Sequence, residues 1–98
     1  MNITQEKNEG KLTLRIEGRL DTKTAPELEQ VVRNELTGVT ELVFDLAETS
    51  YVSSAGLRVL LMAQKQMNKQ GGMKVVNANS DLMEIFEVTG FTDILTIE

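Results

Sequence analysis

The hydrophobic pattern of this chain changes its period near residue 53. Four of the six residues from Glu41 to Leu46 are apolar, and the Val and Phe among them favour a strand. From Leu57 onward the apolar residues recur at helical spacing instead, with Gln64 as the one polar member of the series. The predicted buried stripe of this helix consists of Leu57, Leu60, Leu61, Gln64 and Met67. The sequence therefore predicts a strand, a loop and a helix in succession, with Ser53 and Ser54 at the helix N-terminus.

The chain ahead of this unit predicts a hairpin followed by a helix. Lys11 to Glu17 alternates polar and apolar residues, and Asn8-Glu9-Gly10 supplies the turn from a weaker strand over about Ile3 to Lys7. Residues 24–27 place a hydroxyl N-cap, a proline and a capping-box glutamate in order, which starts a helix that Gly38 ends. Its predicted buried stripe is Leu28, Val31, Val32 and Leu36.

The chain after the central helix predicts one more strand and one short helix. Gly71-Gly72 follows the helix end at about Gln70, and a strand is expected over Met73 to Asn77. Ser80 is expected to cap the short helix, Gly90 to end it, and Asp93 to Ile97 is compatible with a last short strand. The predicted core side of the short helix is Leu82, Ile85 and Phe86.

Strands that alternate with helices predict a small α/β domain. Right-handed crossovers give a mixed, mostly parallel sheet, and the N-terminal hairpin adds an antiparallel pair. The alternation in Lys11 to Glu17 gives that strand a single apolar face, so the helices are expected to pack mainly on one side of the sheet. A length of 98 residues fits one domain with one modest core.

The composition argues against several function classes. The chain has no cysteine and no histidine, so it lacks thiolate and imidazole ligands for a metal and the usual base for a serine nucleophile. We therefore expect no enzyme activity, no metal and no cofactor. A net charge of −5 disfavours direct binding to nucleic acid. We also expect a cytoplasmic location without membrane insertion, because no apolar run approaches the length of a membrane span and the N-terminus does not resemble a signal peptide.

The two serines at the predicted helix N-terminus have two interpretations. A serine oxygen there commonly accepts a hydrogen bond from a free backbone N–H, and local chemistry alone favours such a cap. The alternative is phosphorylation, because the partial positive charge and free N–H groups of a helix N-terminus tolerate a phosphate.

Three segments together resemble the STAS domain family of anti-anti-sigma factors, also called anti-sigma factor antagonists. Tyr51 to Leu61, Tyr-Val-Ser-Ser-Ala-Gly-Leu-Arg-Val-Leu-Leu, is similar to the family signature. Gly18 to Thr22 resembles a short family segment that ends in an acidic residue, and Phe86 to Phe91 resembles a pattern near the C-terminus. The resemblance implies a single STAS domain over residues 1–98, although family members usually end with a further helix for which Glu98 leaves no room.

The resemblance also implies a site. The family's phosphoacceptor corresponds to Ser54, but many phosphorylated members have aspartate immediately before it, where this chain has Ser53, so Ser53 remains an alternative acceptor. The expected partner-binding residues are Asp21, Ser53, Ser54, Gly56, Arg58 and Met62. For Asp21 an ordinary turn role is the alternative, and for Met62 the alternative is packing against a neighbouring element.

Because functional groups gather beyond the carboxyl ends of the strands, we expect Asp21, Ser53 and Ser54 to meet on one surface with Asn77 and Asn79. The two asparagines by themselves are typical turn formers.

The function implied by the resemblance is a partner-switching protein. It would bind an anti-sigma factor that is also a serine kinase with an ATP-binding fold, be inactivated by phosphorylation of Ser54, and be reset by a PP2C-like phosphatase. Two alternatives remain at this point. One is an unphosphorylated STAS subunit docked on a transporter ATPase, and the other is a module that senses a nucleotide or anion at the helix N-terminus.

Overall fold

Five strands, three α-helices and a short 3-10 helix follow one another in the computed structural model, which describes all 98 residues. In chain order they are β1 (Asn2–Asn8), β2 (Lys11–Leu20), α1 (Ala25–Glu35), β3 (Glu41–Asp45), β4 (Thr49–Val52), α2 (Ser54–Met67), β5 (Gly72–Val76), α3 (Ser80–Val88) and the 3-10 turn Phe91–Asp93. The predicted α/β order is confirmed, with one strand more than the sequence indicated between β3 and α2.

The strands form one mixed sheet with the order β1-β2-β3-β5. β1 pairs with β2 antiparallel, and the β2–β3 and β3–β5 pairs are parallel. The short strand β4 pairs in parallel with the end of β2, from Gly18 to Leu20. The predicted hairpin and mostly parallel sheet are therefore correct, and β2 has two different parallel neighbours along its length.

One face of the sheet carries the core. Leu12, Leu14 and Ile16 of β2 are buried, and their register partners on β3 include Leu42 and Phe44, which are also buried. These side chains belong to a single cluster of 23 buried residues to which all three helices contribute. The opposite face is mainly polar, so the helices lie on one side of the sheet as the alternation in β2 predicts.

The predicted helical stripes are largely correct but shifted in detail. In α2, Leu57, Leu60, Gln64 and Met67 are buried as expected, whereas Leu61 is half-buried. Val59 and Ala63, which the predicted stripe omitted, are buried as well. The buried face of α2 is therefore wider than a single stripe, because the helix packs against α1, β4 and β5.

Several predicted boundaries are wrong for identifiable reasons. β2 continues three residues beyond Glu17, because Gly18 takes a positive φ of 101° and an irregularity at Gly18 and Arg19 lets the strand pair with β4. Residues 47–50 are not simply a loop, since β4 starts at Thr49.

The expected last strand over Asp93 to Ile97 is instead the end of a 3-10 turn and a single bridge from Ile97 to Val75.

Two predicted helix caps are also wrong. Thr24 occupies the N-cap position of α1, but its hydroxyl makes no cap bond, because its oxygen accepts the Asp21 N–H at 2.8 Å and its proton is donated to the carbonyl of Arg19 at 2.7 Å. α3 is capped by Asn79, whose side-chain oxygen accepts the N–H of Leu82 at 2.9 Å, and Ser80 is the first helical residue. Thr24 therefore bonds to the backbone of the turn before α1, and at α3 the Asn79 side chain replaces that of Ser80 as the cap.

Gly71 allows the chain after α2 to approach the loop before β3. α2 ends at Met67, earlier than the predicted Gln70, and the Gly71 N–H donates to the Met67 carbonyl at 2.7 Å. A Cβ on Gly71 would lie 1.9 Å from the carbonyl oxygen of Thr40, whereas a Cβ on Gly72 would meet nothing within 4 Å. Gly71 is therefore required by this close backbone contact.

Gly71→Ala is expected to lower the free energy of unfolding by about 1 to 3 kcal/mol, because the backbone at Thr40 must move to admit the new methyl group. Gly72→Ala is the matched control, and its effect should stay within about 0.5 kcal/mol. Urea unfolding of both variants measures the difference. Equal stability of the two variants would contradict this account of Gly71.

Candidate functional site

The N-terminus of α2 is fixed against the end of β2 by the β4 pairing. The Ser53 N–H donates to the carbonyl of Leu20 at 2.8 Å, directly after the register pairs Arg19 with Tyr51 and Leu20 with Val52. At the other end of β4 the buried Thr49 hydroxyl donates to the carbonyl of Ile16 at 2.6 Å. β4 is thereby held at both ends, and α2 starts beside the loop that follows β2.

The two serines have different roles in this arrangement. Ser53 is the N-cap of α2, with its Oγ accepting the Gly56 N–H at 3.3 Å and its carbonyl accepting the Leu57 N–H at 2.9 Å. Ser54 is the first helical residue, its side chain is exposed, and its hydroxyl makes no hydrogen bond within the protein. The cap interpretation and the exposed, uncommitted hydroxyl therefore belong to different residues.

Gly56 is buried and sets how closely α2 approaches β2. A Cβ at this position would lie 2.7 Å from Leu20 Cγ and 2.9 Å from the Leu20 carbonyl oxygen. Any larger residue would push the first turn of α2 away from the strand. Its expected contribution to partner binding would therefore be indirect, through the position of the helix.

Asp21 holds the turn between β2 and α1. Its Oδ1 accepts the backbone N–H groups of Lys23 at 3.0 Å and Thr24 at 3.1 Å, and its Oδ2 lies 3.5 Å from the Arg19 Nε. Desolvation acts to raise the pKa of Asp21, but these hydrogen bonds to the charged form outweigh it and lower that pKa below its ordinary value. The carboxylate is therefore ionised at neutral pH and has the turn role that the sequence offered as an alternative.

Arg19 and Tyr51 form a pair beside this turn that sequence reasoning missed. The Arg19 guanidinium carbon lies 4.5 Å from the centroid of the Tyr51 ring, and Tyr51 as a residue is 37% exposed. Both residues lie in the segments that carried the family resemblance, but their contact depends on β4, which was not predicted. Tyrosine and arginine are both enriched at protein-binding surfaces.

The remaining predicted residues divide between two places. Arg58 is exposed on α2. Met62 is half-buried and packs against the core, so it has the packing role that the sequence offered as an alternative, and part of the residue remains accessible. Asn77 has a positive φ of 62° and donates to Asp45 Oδ1 at 3.0 Å, while the Asn79 amide lies 3.5 Å from the Thr49 carbonyl at the start of β4.

The Ser53–Leu20 backbone bond brings Asp21, the residue after Leu20, next to the two serines. The asparagines contact Asp45 and Thr49 instead, and Thr49 is separated from Ser53 by roughly 13 Å of extended chain in β4.

The site is a surface of exposed and half-buried side chains outside the cavities of the protein. The cavities of the protein are lined by residues of β1, β2 and β3 and of the loops around them, and none includes Asp21, Ser53 or Ser54. No group of three acidic, histidine or cysteine residues is placed to hold a metal ion. None of the helices is both long and apolar enough to cross a bilayer. What this surface offers is a free hydroxyl, a fixed carboxylate, a cation and an aromatic ring to another macromolecule.

Comparison with known proteins identifies the family of this chain. The STAS domain model matches residues 2–98, and the chain therefore belongs to the STAS domain family. It is 33% identical over 102 residues to the anti-sigma-B factor antagonist of Bacillus subtilis, covering 99% of this chain and 90% of that protein.

Three solved structures of two proteins have the same fold. An anti-sigma factor antagonist from Mycobacterium paratuberculosis superimposes with a TM-score of 0.88 at 25% identity, over 98% of this chain and 83% of that one. SpoIIAA in its unphosphorylated form matches with a TM-score of 0.74 at 14% identity, over 99% and 87% of the two chains. Its phosphorylated form matches with a TM-score of 0.69 at 14% identity, over 99% and 91%.

Ser53→Ala is expected to cost about 1 kcal/mol of stability, because it removes the oxygen that accepts the Gly56 N–H. Ser54→Ala is the matched control and should change stability by less than about 0.5 kcal/mol, since its hydroxyl has no partner. Thermal or urea unfolding of the two variants gives the comparison. A larger loss for Ser54→Ala would show that the roles of the serines are reversed.

Asp21→Asn is expected to make stability less sensitive to acid. The pKa of Asp21 is lower in the folded state than in the unfolded state, so its stabilising contribution is present in full above about pH 5 and is lost as the pH falls through the folded-state pKa. Urea unfolding between about pH 7 and pH 3 should therefore show a shallower decline for this variant than for wild type. Asp93→Asn removes the same charge at a carboxylate that accepts no hydrogen bond in the protein and is the control. An equally shallow decline for both variants would contradict this role of Asp21.

Proposed function

We propose that this protein is a cytoplasmic anti-sigma factor antagonist controlled by phosphorylation of Ser54. The supporting relationship is the near full-length similarity to the anti-sigma-B factor antagonist of Bacillus subtilis and to the mycobacterial antagonist structure. In the unphosphorylated state it binds an anti-sigma factor and frees that factor's other client.

The observation that carries the choice of acceptor is the exposed and uncommitted hydroxyl of Ser54. A kinase needs the acceptor hydroxyl free to enter its active site, and Ser54 meets that requirement without breaking a hydrogen bond of the fold. Phosphorylation of Ser53 would instead remove the cap that binds the Gly56 N–H.

The partner we propose is an anti-sigma factor that is also a serine kinase with an ATP-binding fold. The Ser54 oxygen attacks the γ-phosphorus of ATP bound to that kinase with magnesium, a P–O bond to Ser54 forms, the bond to ADP breaks, and the hydroxyl proton passes to the kinase. A PP2C-like phosphatase then hydrolyses the phosphoserine with water and restores the hydroxyl. Catalysis, nucleotide and metal all belong to the partners.

Two features of the structure support the proposal that a phosphate at Ser54 acts on binding without unfolding the protein. The N-terminus of α2 carries partial positive charge and has no acidic residue in its first turn, so the new negative charge is tolerated there. The same charge lies in the surface formed with Asp21, Arg19 and Tyr51. Burying it against a partner costs desolvation energy, and it repels any carboxylate that faces it.

The test begins with the purified protein, the anti-sigma factor of its source organism, ATP and Mg²⁺. Mass spectrometry is expected to locate one phosphate on Ser54, none on Ser54→Ala, and an unchanged Ser54 phosphate on Ser53→Ala. Modification of Ser53 in the wild-type protein would contradict the proposed acceptor.

Ser54→Asp is expected to weaken binding of the anti-sigma factor about a hundredfold, which corresponds to about 2.7 kcal/mol. Ser54→Asn has nearly the same shape without the charge and is expected to bind within a few-fold of wild type. Calorimetric titration compares the three proteins. Equal binding by the Asp and Asn variants would exclude charge as the basis of the switch.

The two alternative functions, a subunit of a transporter ATPase and a nucleotide- or anion-sensing module, predict different results in these binding experiments. A stable complex with a transporter ATPase, unaffected by Ser54→Asp, would identify an accessory subunit. A thermal shift produced by nucleotides in the isolated protein would identify a sensing module.

A further inference from the structure

Two segments of this protein each carry side-chain charges of a single sign. The segment 53–70, which contains α2, carries three cations and no carboxylate, namely Arg58, Lys65 and Lys69. The segment 80–98, which contains α3, carries five carboxylates and no cation. Since the whole chain has a net charge of −5, the surface of α2 is a positively charged region on a negatively charged protein.

The three cations of α2 are exposed and have no ion-pair partner in the protein. Arg58, Lys65 and Lys69 are all exposed, and none lies within salt-bridge distance of an acidic group. Five of the ten cations of the chain do form such pairs, all of them outside α2. The positive charge of this helix is therefore not neutralised within the fold.

Helical geometry places these cations on the same side of α2 as Ser54. At about 100° per residue, Ser54, Arg58 and Lys65 fall within roughly 40° of one another, opposite the buried face. Leu61 and Met62 lie between Arg58 and Lys65 and are half-buried, and Lys69 follows in the turn after the helix. We call Arg58, Leu61, Met62, Lys65 and Lys69 the basic stripe; it begins one helical turn after Ser54.

Helix stability alone does not account for the start of the stripe. α1 and α3 each have a carboxylate in the first turn, Glu27 and Asp81, which complements the positive end of the helix dipole. α2 has no acidic residue in its first turn and carries Arg58 in its second, where a cation gains nothing from the dipole. Lys65 and Lys69, near the C-terminus, are favoured by it, so Arg58 is the residue that calls for a different explanation.

We propose that the basic stripe binds a carboxylate-rich surface of the anti-sigma factor, with Leu61 and Met62 as apolar contacts between the cations. This inference rests on the proposed function and adds the chemistry of the partner surface to it. A stripe of three cations on an acidic protein is too small for binding along a nucleic-acid backbone, whereas an acidic protein surface of matching length complements it.

The proposal also explains how a phosphate at Ser54 lowers affinity. The phosphate adds a charge of about −1.5 to −2, four residues before Arg58 and on the same side of the helix. It therefore offsets much of the positive charge at the start of the stripe and repels the carboxylates of the partner.

The experiment measures association of the purified anti-sigma factor with wild-type protein, with the double variant Arg58→Gln/Lys65→Gln, and with the double control Lys11→Gln/Lys74→Gln. Lys11 and Lys74 lie on the polar face of the sheet, away from the helices, and the control changes the net charge by the same amount. At about 50 mM salt the stripe variant is expected to associate about tenfold more slowly than wild type, while the control stays within about twofold. At about 500 mM salt the difference between the two double variants should shrink to about twofold.

Three results would overturn the inference, and they are distinguishable. If wild type binds but both double variants match it, the stripe takes no part in binding. If both double variants lose affinity equally, the net charge of the protein is responsible and not the stripe. If the isolated protein forms a salt-sensitive dimer by sedimentation velocity, and this dimer is lost in the stripe variant, the acidic surface belongs to a second copy.

An anti-sigma factor that fails to bind wild-type protein at any salt concentration overturns the proposed function, and this inference with it.

Discussion

The parallel pairing of β4 with the end of β2 determines the geometry of everything else in the candidate site. Its hydrogen bonds run from the Thr49 hydroxyl to the Ile16 carbonyl at one end and from the Ser53 N–H to the Leu20 carbonyl at the other. The second bond fixes where α2 starts, and Gly56 then lets that helix lie directly against Leu20. Since β2 itself is paired on both sides, the N-terminus of α2 is tied to the centre of the sheet.

This fixed start of α2 allows two adjacent serines to be used differently. Ser53 satisfies a free N–H group of the first helical turn, so the helix does not depend on Ser54 for its stability. The proposed phosphate on Ser54 would therefore leave the cap, the β4 pairing and the core as they are. Its energetic cost would fall on binding and not on folding.

The charged side chains around the serines also lie outside the hydrophobic core. Arg19, Tyr51 and Asp21 form a connected polar group on one side of Ser54, and the basic stripe of α2 leads away on the other. Apart from Met62, which packs against it, no member of either group contributes to the single hydrophobic core. Evolution of such a surface can therefore change partners with little effect on stability, because exposed charges are individually worth little to the fold.

The sequence by itself determined the class of fold, the order of most elements and the position of the serines at a helix N-terminus. Hydrophobic period, glycines and turn residues are local signals, and they were sufficient for β1, most of β2, all three helices, β3 and β5. Only the tertiary structure decided the presence of β4, the contact of Arg19 with Tyr51 and which serine caps α2. These features depend on pairing between residues about thirty positions apart, as in Gly18 with Thr49, and no local periodicity records such a pairing.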